Sequence, residues 1–74
     1  MTKPIYIDVM GKPCPMPLLM LKRELKKAQP QQVFILKSSD PHSETDLLRY
    51  CQIHHIKCQF IKVSESEFHY IIES

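Results

Sequence analysis

Gly11-Lys12-Pro13-Cys14-Pro15-Met16-Pro17 sets one cysteine among prolines at the junction of a strand and a helix. Upstream, Ile5-Tyr6-Ile7-Asp8-Val9 carries isoleucine or valine at every second place, the alternation of a half-buried strand, read here from about Tyr6 to Val9. Downstream, Leu18, Leu21, Leu25 and Ala28 recur at helical spacing while Lys22, Arg23, Lys26 and Lys27 take the other face, which predicts a helix from about Pro15 to Gln29. Gly11 permits the tight turn between the two. Pro15 suits the first helical position, where its missing N–H costs nothing and its φ is already helical. Cys14 would then face unpaired backbone N–H groups and the positive end of the helix dipole. Both are expected to favour thiolate over thiol.

Beyond Pro30, Val33-Phe34-Ile35-Leu36 lacks alternation and reads as a central strand with both faces at least partly covered. Asp40-Pro41 reads as the start of a second helix, with Asp40 as N-cap, Pro41 at the first position and Glu44 and Asp46 early in the helix. Leu47, Leu48, Cys51 and one of Ile53 or His54 make its expected buried stripe, and His54-His55 end it without a glycine. A third strand is read from about Lys57 to Val63 and a fourth from Phe68 to Glu73, joined through Ser64-Glu65-Ser66. The order is βαβαββ. Two βα units imply right-handed parallel crossovers and the closing hairpin adds an antiparallel pair. Two helices cover only one face of such a sheet, so the expected fold is α+β, a two-layer sandwich with a four-stranded mixed sheet.

Composition narrows the function. The chain has 74 residues, which is one expected domain with a small core. No apolar run approaches the ~20 residues of a spanning helix, and no signal-type stretch suggests export. Three cysteines at irregular spacing do not make a disulfide framework, and a reducing cytoplasm is the expected home. A net charge of +2 is too weak to argue nucleic acid by itself, although four cations crowd the first helix and suit an acidic partner surface.

The strand, the Gly11-x-x-Cys14-Pro15-x-Pro17 stretch and the helix together resemble the TusA/SirA/YedF family of small sulfur carrier proteins. Ile7-Asp8, Gln29-Pro30, Asp40-Pro41 and Asp46-Leu47 resemble family landmarks in the same order, from about Ile7 to Ile72. The resemblance implies that Cys14 accepts sulfane sulfur as a persulfide from a pyridoxal-phosphate cysteine desulfurase and hands it to a downstream acceptor. Thiolation of a tRNA wobble uridine is the best-known output. It implies framing roles for Pro15 and Pro17 and no cofactor on the chain itself. Three departures stand out: Gln31 where relatives often carry glycine, so that turn is expected to be made differently, Thr45 where the sulfur relay protein of tRNA thiolation carries a basic residue, and Leu48 where it carries proline. The last two fall in the second helix and bear on partners more than on carrier chemistry.

Site by site, Cys14 is the expected persulfide carrier, framed by Gly11, Pro15 and Pro17. Met16, Leu19 and Met20 serve either as helix core or as an apolar rim that docks partners, with Lys12, Lys22 and Arg23 as charged flanks. Cys51 and Cys58 lie on apolar stripes and are expected in the core. Cys51-x-x-His54 and His55-x-x-Cys58 look like fragments of a zinc site, but they point in different directions, and no metal is expected. Asp40 reads as a cap and Asp8 as a turn stabiliser. No carboxylate pair, phosphate loop or Ser-His-Asp set is present, so independent catalysis is not expected, and the protein is expected as a monomer between partner proteins. The alternative is an RNA-binding or regulatory module, with Phe34, Phe68 and Tyr70 stacking bases on an open sheet face, or a selenium- or redox-linked relative.

Overall fold

The computed structural model describes residues 3–74. Its elements are β1 (Ile5–Val9), α1 (Met16–Lys27), β2 (Val33–Ser38), α2 (Ser43–Ile53), β3 (Lys57–Ser64) and β4 (Glu67–Glu73). The sheet order is β1-β2-β4-β3, with β1 and β2 parallel and β4 antiparallel to both of its neighbours. This is the expected βαβαββ arrangement with a mixed four-stranded sheet. Among the described residues no helix is long and apolar enough to cross a membrane.

Register carries the strand alternation across the whole sheet. Ile7, Leu36, Tyr70 and Phe60 lie side by side on one face, and Ile5, Phe34, Ile72 and Cys58 form the adjacent row. Leu21 of α1 and Leu47 and Cys51 of α2 are buried in the same core as Ile7, Phe34, Leu36, Tyr70 and Ile72, so both helices cover this face. Leu21 and Leu47 are fully buried, and each contributes roughly 1.5–3 kcal/mol through area removed from water. Among the described residues neither helix packs on the other face. There Tyr6, Ile35 and Ile71 share a row, and Val33, Ile35 and Lys37 are half-buried.

Several boundaries differ from the sequence expectation. Helix α1 begins at Met16, with Pro15 at the N-cap position and Pro17 at the second helical position. Asp40 is not the N-cap of α2. Ser43 N–H donates to the Asp40 carbonyl at 3.3 Å, so residues 40–43 form a turn with aspartate first and proline second, and the helix follows it. The buried stripe of α2 is Ser43, Leu47 and Cys51, spaced by four, while Ile53 is 65% exposed and His54 is exposed with its ring 4.4 Å from that of Tyr50.

Two turns use side-chain-bearing residues where glycine is usual. Gln32 N–H donates to the Gln29 carbonyl at 3.2 Å, closing a turn with Pro30 second and Gln31 third at φ 64°. Gln31 therefore takes the left-handed conformation that a glycine would take, rather than making the turn differently. At the end of α2, His55 sits at φ 56°, Ile56 N–H donates to the Cys51 carbonyl at 2.7 Å and His55 N–H to Gln52 at 3.3 Å. That is a Schellman closure with histidine in the glycine place.

Candidate functional site

Parallel pairing makes the site. Strands β1 and β2 run in the same direction, so the segments that leave their carboxyl ends, residues 10–15 and 39–42, lie side by side. Asp8 Oδ1 accepts from Met10 N–H at 3.0 Å and Lys12 N–H donates to the Val9 carbonyl at 3.1 Å, which turns the chain out of β1. Asp8 thus stabilises the turn, as its place in the sequence suggested. Gly11 takes φ 79° and donates its N–H to Ser39 Oγ at 2.7 Å. A Cβ at Gly11 would meet nothing within 4 Å, so the backbone angle and not crowding asks for glycine.

Asp40 ties the two segments together. Its Oδ2 accepts from Cys14 N–H at 2.8 Å and from Ser43 Oγ at 2.8 Å, and its Oδ1 accepts from His42 N–H at 3.1 Å. Burial pushes this carboxyl up, but the three donors outweigh it and hold Asp40 below the usual carboxylate value. Cys14 is exposed and its peptide bond to Pro15 is cis. Its Sγ donates to Asp46 Oδ2, in the early part of α2, at 3.0 Å. That bond, with smaller contributions from desolvation and from the charges of Asp46 and Asp40, pushes the Cys14 thiol above its ordinary value.

This reverses the expected lowering of the Cys14 thiol. The reason lies in the prolines: Pro15 and Pro17 have no N–H, and the Met16 N–H is taken by the Pro13 carbonyl at 2.9 Å. Three of the first donors of α1 are therefore missing or occupied, whereas a carboxylate lies against the sulfur. Hydrogen bonding to the neutral thiol wins.

The fold and the motif fall within one family: residues 5–74 match the family described as Sulfurtransferase TusA. The chain belongs to the TusA family. Its fold is similar to that of the SirA-like protein from Desulfitobacterium hafniense, with a TM-score of 0.85, 18% identity, and 95% of this chain and 96% of that chain covered. The TusA family points to a sulfur carrier or sulfurtransferase role.

Within this TusA frame the other named residues separate into groups. Lys12 lies exposed in the turn beside Cys14, and Met16 is 37% and Leu19 48% exposed on the first turns of α1. Met20 packs against the core instead, so these three residues divide between exposed surface and helix core. Lys22 points its Nζ over the Tyr50 ring of α2 at 5.3 Å, away from a purely solvated face, and Arg23 is exposed. Leu18, Asp46, Arg49, Tyr50 and Ile53 line a shallow groove of about 200 Å³ between α1 and α2. Asp46 belongs to both the groove and the cysteine.

Cys51 is buried and Cys58 half-buried on the core. The neighbouring Cys51 thiol and burial push the Cys58 thiol up. Among the described residues no three metal-ligating side chains converge. The aromatics named for base stacking are under the helices: Phe34 is 1%, Phe68 6% and Tyr70 0% exposed. Among the described residues Tyr6 alone of the strand aromatics stands on the open face, so Phe34, Phe68 and Tyr70 do not form the exposed stacking platform expected of the RNA-binding alternative. Sequence reasoning named Asp46 as an early acidic residue of the helix but not as the partner of the sulfur. Its position 32 residues from Cys14 offers no local pattern to find it by.

Proposed function

We propose that this TusA-family protein is a sulfur carrier that accepts sulfane sulfur on Cys14 from a cysteine desulfurase and relays it to a downstream acceptor, with tRNA thiolation as one output. The observation that carries this reading is the exposure of Cys14, alone among the three cysteines, on a turn tied to the fold through Gly11 and Asp40. In the loading step the Cys14 sulfur attacks the terminal sulfur of the donor persulfide. A new S–S bond forms, the donor S–S bond breaks, and the donor leaves as a thiolate that takes up the Cys14 proton. Sulfane sulfur moves between two thiols with no net oxidation. The chain needs no resident cofactor for this, since pyridoxal phosphate works in the donor. Lys12, Met16, Lys22 and Arg23 are the proposed flanks for docking.

Incubation with a cysteine desulfurase and cysteine should add the mass of one sulfur atom at Cys14, removable by reductant. Intact-mass and peptide mass spectrometry read it directly. Equal loading of a Cys14→Ser protein would show that another group carries the sulfur.

A further inference from the structure

Thiol exchange needs a thiolate, yet the surroundings of Cys14 oppose one. The charged groups that act on it are both carboxylates: Asp46 from α2, in contact with the sulfur, and Asp40 from the preceding turn, which holds the Cys14 amide. The two differ in how they are occupied. Asp40 accepts from Cys14 N–H, His42 N–H and Ser43 Oγ, whereas the contact made by the Asp46 carboxylate is with a thiol, a weak donor. Asp46 also lines the groove between α1 and α2, whose other walls are the apolar Leu18, Tyr50 and Ile53, with Arg49. A side chain entering along that groove reaches the carboxylate that holds the sulfur.

We propose that Asp46 is a latch on Cys14 that the partner operates: in the free protein it holds the sulfur as S–H, and an arginine or lysine of the docked sulfur donor pairs with Asp46 and frees the sulfur to attack. This rests on the carrier reading above. Charge complementarity selects the occupant, a donor segment that sets an apolar side chain in the groove beside a cation at Asp46. An arginine would engage the carboxylate through two parallel N–H···O bonds, far stronger than the S–H contact it replaces. With the carboxylate neutralised, the Cys14 proton leaves to the outgoing donor thiolate as the new S–S bond forms. The free carrier stays in the less nucleophilic thiol form, which limits stray oxidation and exchange.

The test compares wild type with Asp46→Asn and Asp46→Ala, each checked for native circular dichroism, in three reactions at about pH 7.5. Iodoacetamide alkylation of Cys14 should run roughly three- to tenfold faster in both variants, because each unit of lowered thiol pKa raises the thiolate fraction about tenfold. Loading from a small-molecule persulfide should quicken in the same sense. Loading from the cysteine desulfurase should slow, with more carrier needed for half-maximal rate, because the partner's cation has lost its counterpart. Variants that alkylate no faster than wild type overturn the hold on the thiol. Variants that gain as much with the desulfurase as with the small persulfide overturn the partner's cation. Wild type that takes no sulfur from either donor defeats the carrier reading and the latch's operator with it, and the alkylation result then still decides whether Asp46 controls the thiol.

Discussion

Cys14 and Asp40 stand 26 residues apart in the chain and are joined by a 2.8 Å bond from the Cys14 amide to Asp40 Oδ2. Through it the turn after β1 is registered against the turn after β2, and the sulfur is delivered to α2. Two segments that share no secondary structure are thus tied side by side.

Asp40 is the first residue to test. Asp40→Ala removes the acceptor for three donors and should cost about 1–2 kcal/mol in urea unfolding. The pH dependence follows from its lowered pKa. The folded protein binds this proton less readily than the unfolded chain, so the contribution is complete above the ordinary value of 3.8 and is lost as pH falls through the lower folded value. Wild-type stability should therefore decline on acidification below about pH 4 more steeply than that of Asp40→Asn. Parallel acid limbs for the two proteins would remove Asp40 from the stability balance.

Gln31 and His55 hold left-handed backbone angles at φ 64° and φ 56°. A Cβ in that region costs about 1–2 kcal/mol, part of which glycine gives back as greater freedom of the unfolded chain. Gln31→Gly and His55→Gly should each raise stability by about 0.5–1 kcal/mol in denaturant titrations. Gly11→Ala, at φ 79°, should do the reverse by about 1–2 kcal/mol. A destabilised His55→Gly protein would mean that the imidazole makes a contribution larger than the strain.

Tyr70 is fully buried in the core, and among the described residues its hydroxyl has no hydrogen-bond partner. Burial pushes its phenol far above the usual tyrosine range, so the group stays neutral. Removing an unsatisfied buried hydroxyl relieves a desolvation cost, and Tyr70→Phe should be neutral or stabilising by up to about 1 kcal/mol. The ring contact to Phe60, 5.1 Å between centroids, remains in the phenylalanine protein. A loss of more than about 1 kcal/mol would show that the hydroxyl is hydrogen-bonded in solution.

What the sequence determined by itself was the set of local decisions. Alternation at Ile5-Tyr6-Ile7-Asp8-Val9, helical spacing at Leu18, Leu21 and Leu25, and the turn residues Asp8, Gly11 and Pro30 act within four residues of one another, so the elements and their order are legible in the chain. The Cys14 turn and the common face of Phe68, Tyr70 and Ile72 belong to the same class. Tertiary structure decided what lies across those faces. Alternation groups Phe68 and Tyr70 on one face of β4 but leaves open whether helices or solvent cover it; the sheet register adds Phe34 to that face, and the helices cover it. Likewise, the position of Cys14 before a helix suggested a stabilised thiolate, and two features of different range reversed that. The missing N–H groups of Pro15 and Pro17 were readable locally. The Asp46 carboxylate 3.0 Å from the sulfur was not, because only parallel pairing of β1 with β2 brings the first turns of α1 and α2 together. A carboxylate against an exposed thiol raises its pKa whatever their distance along the chain.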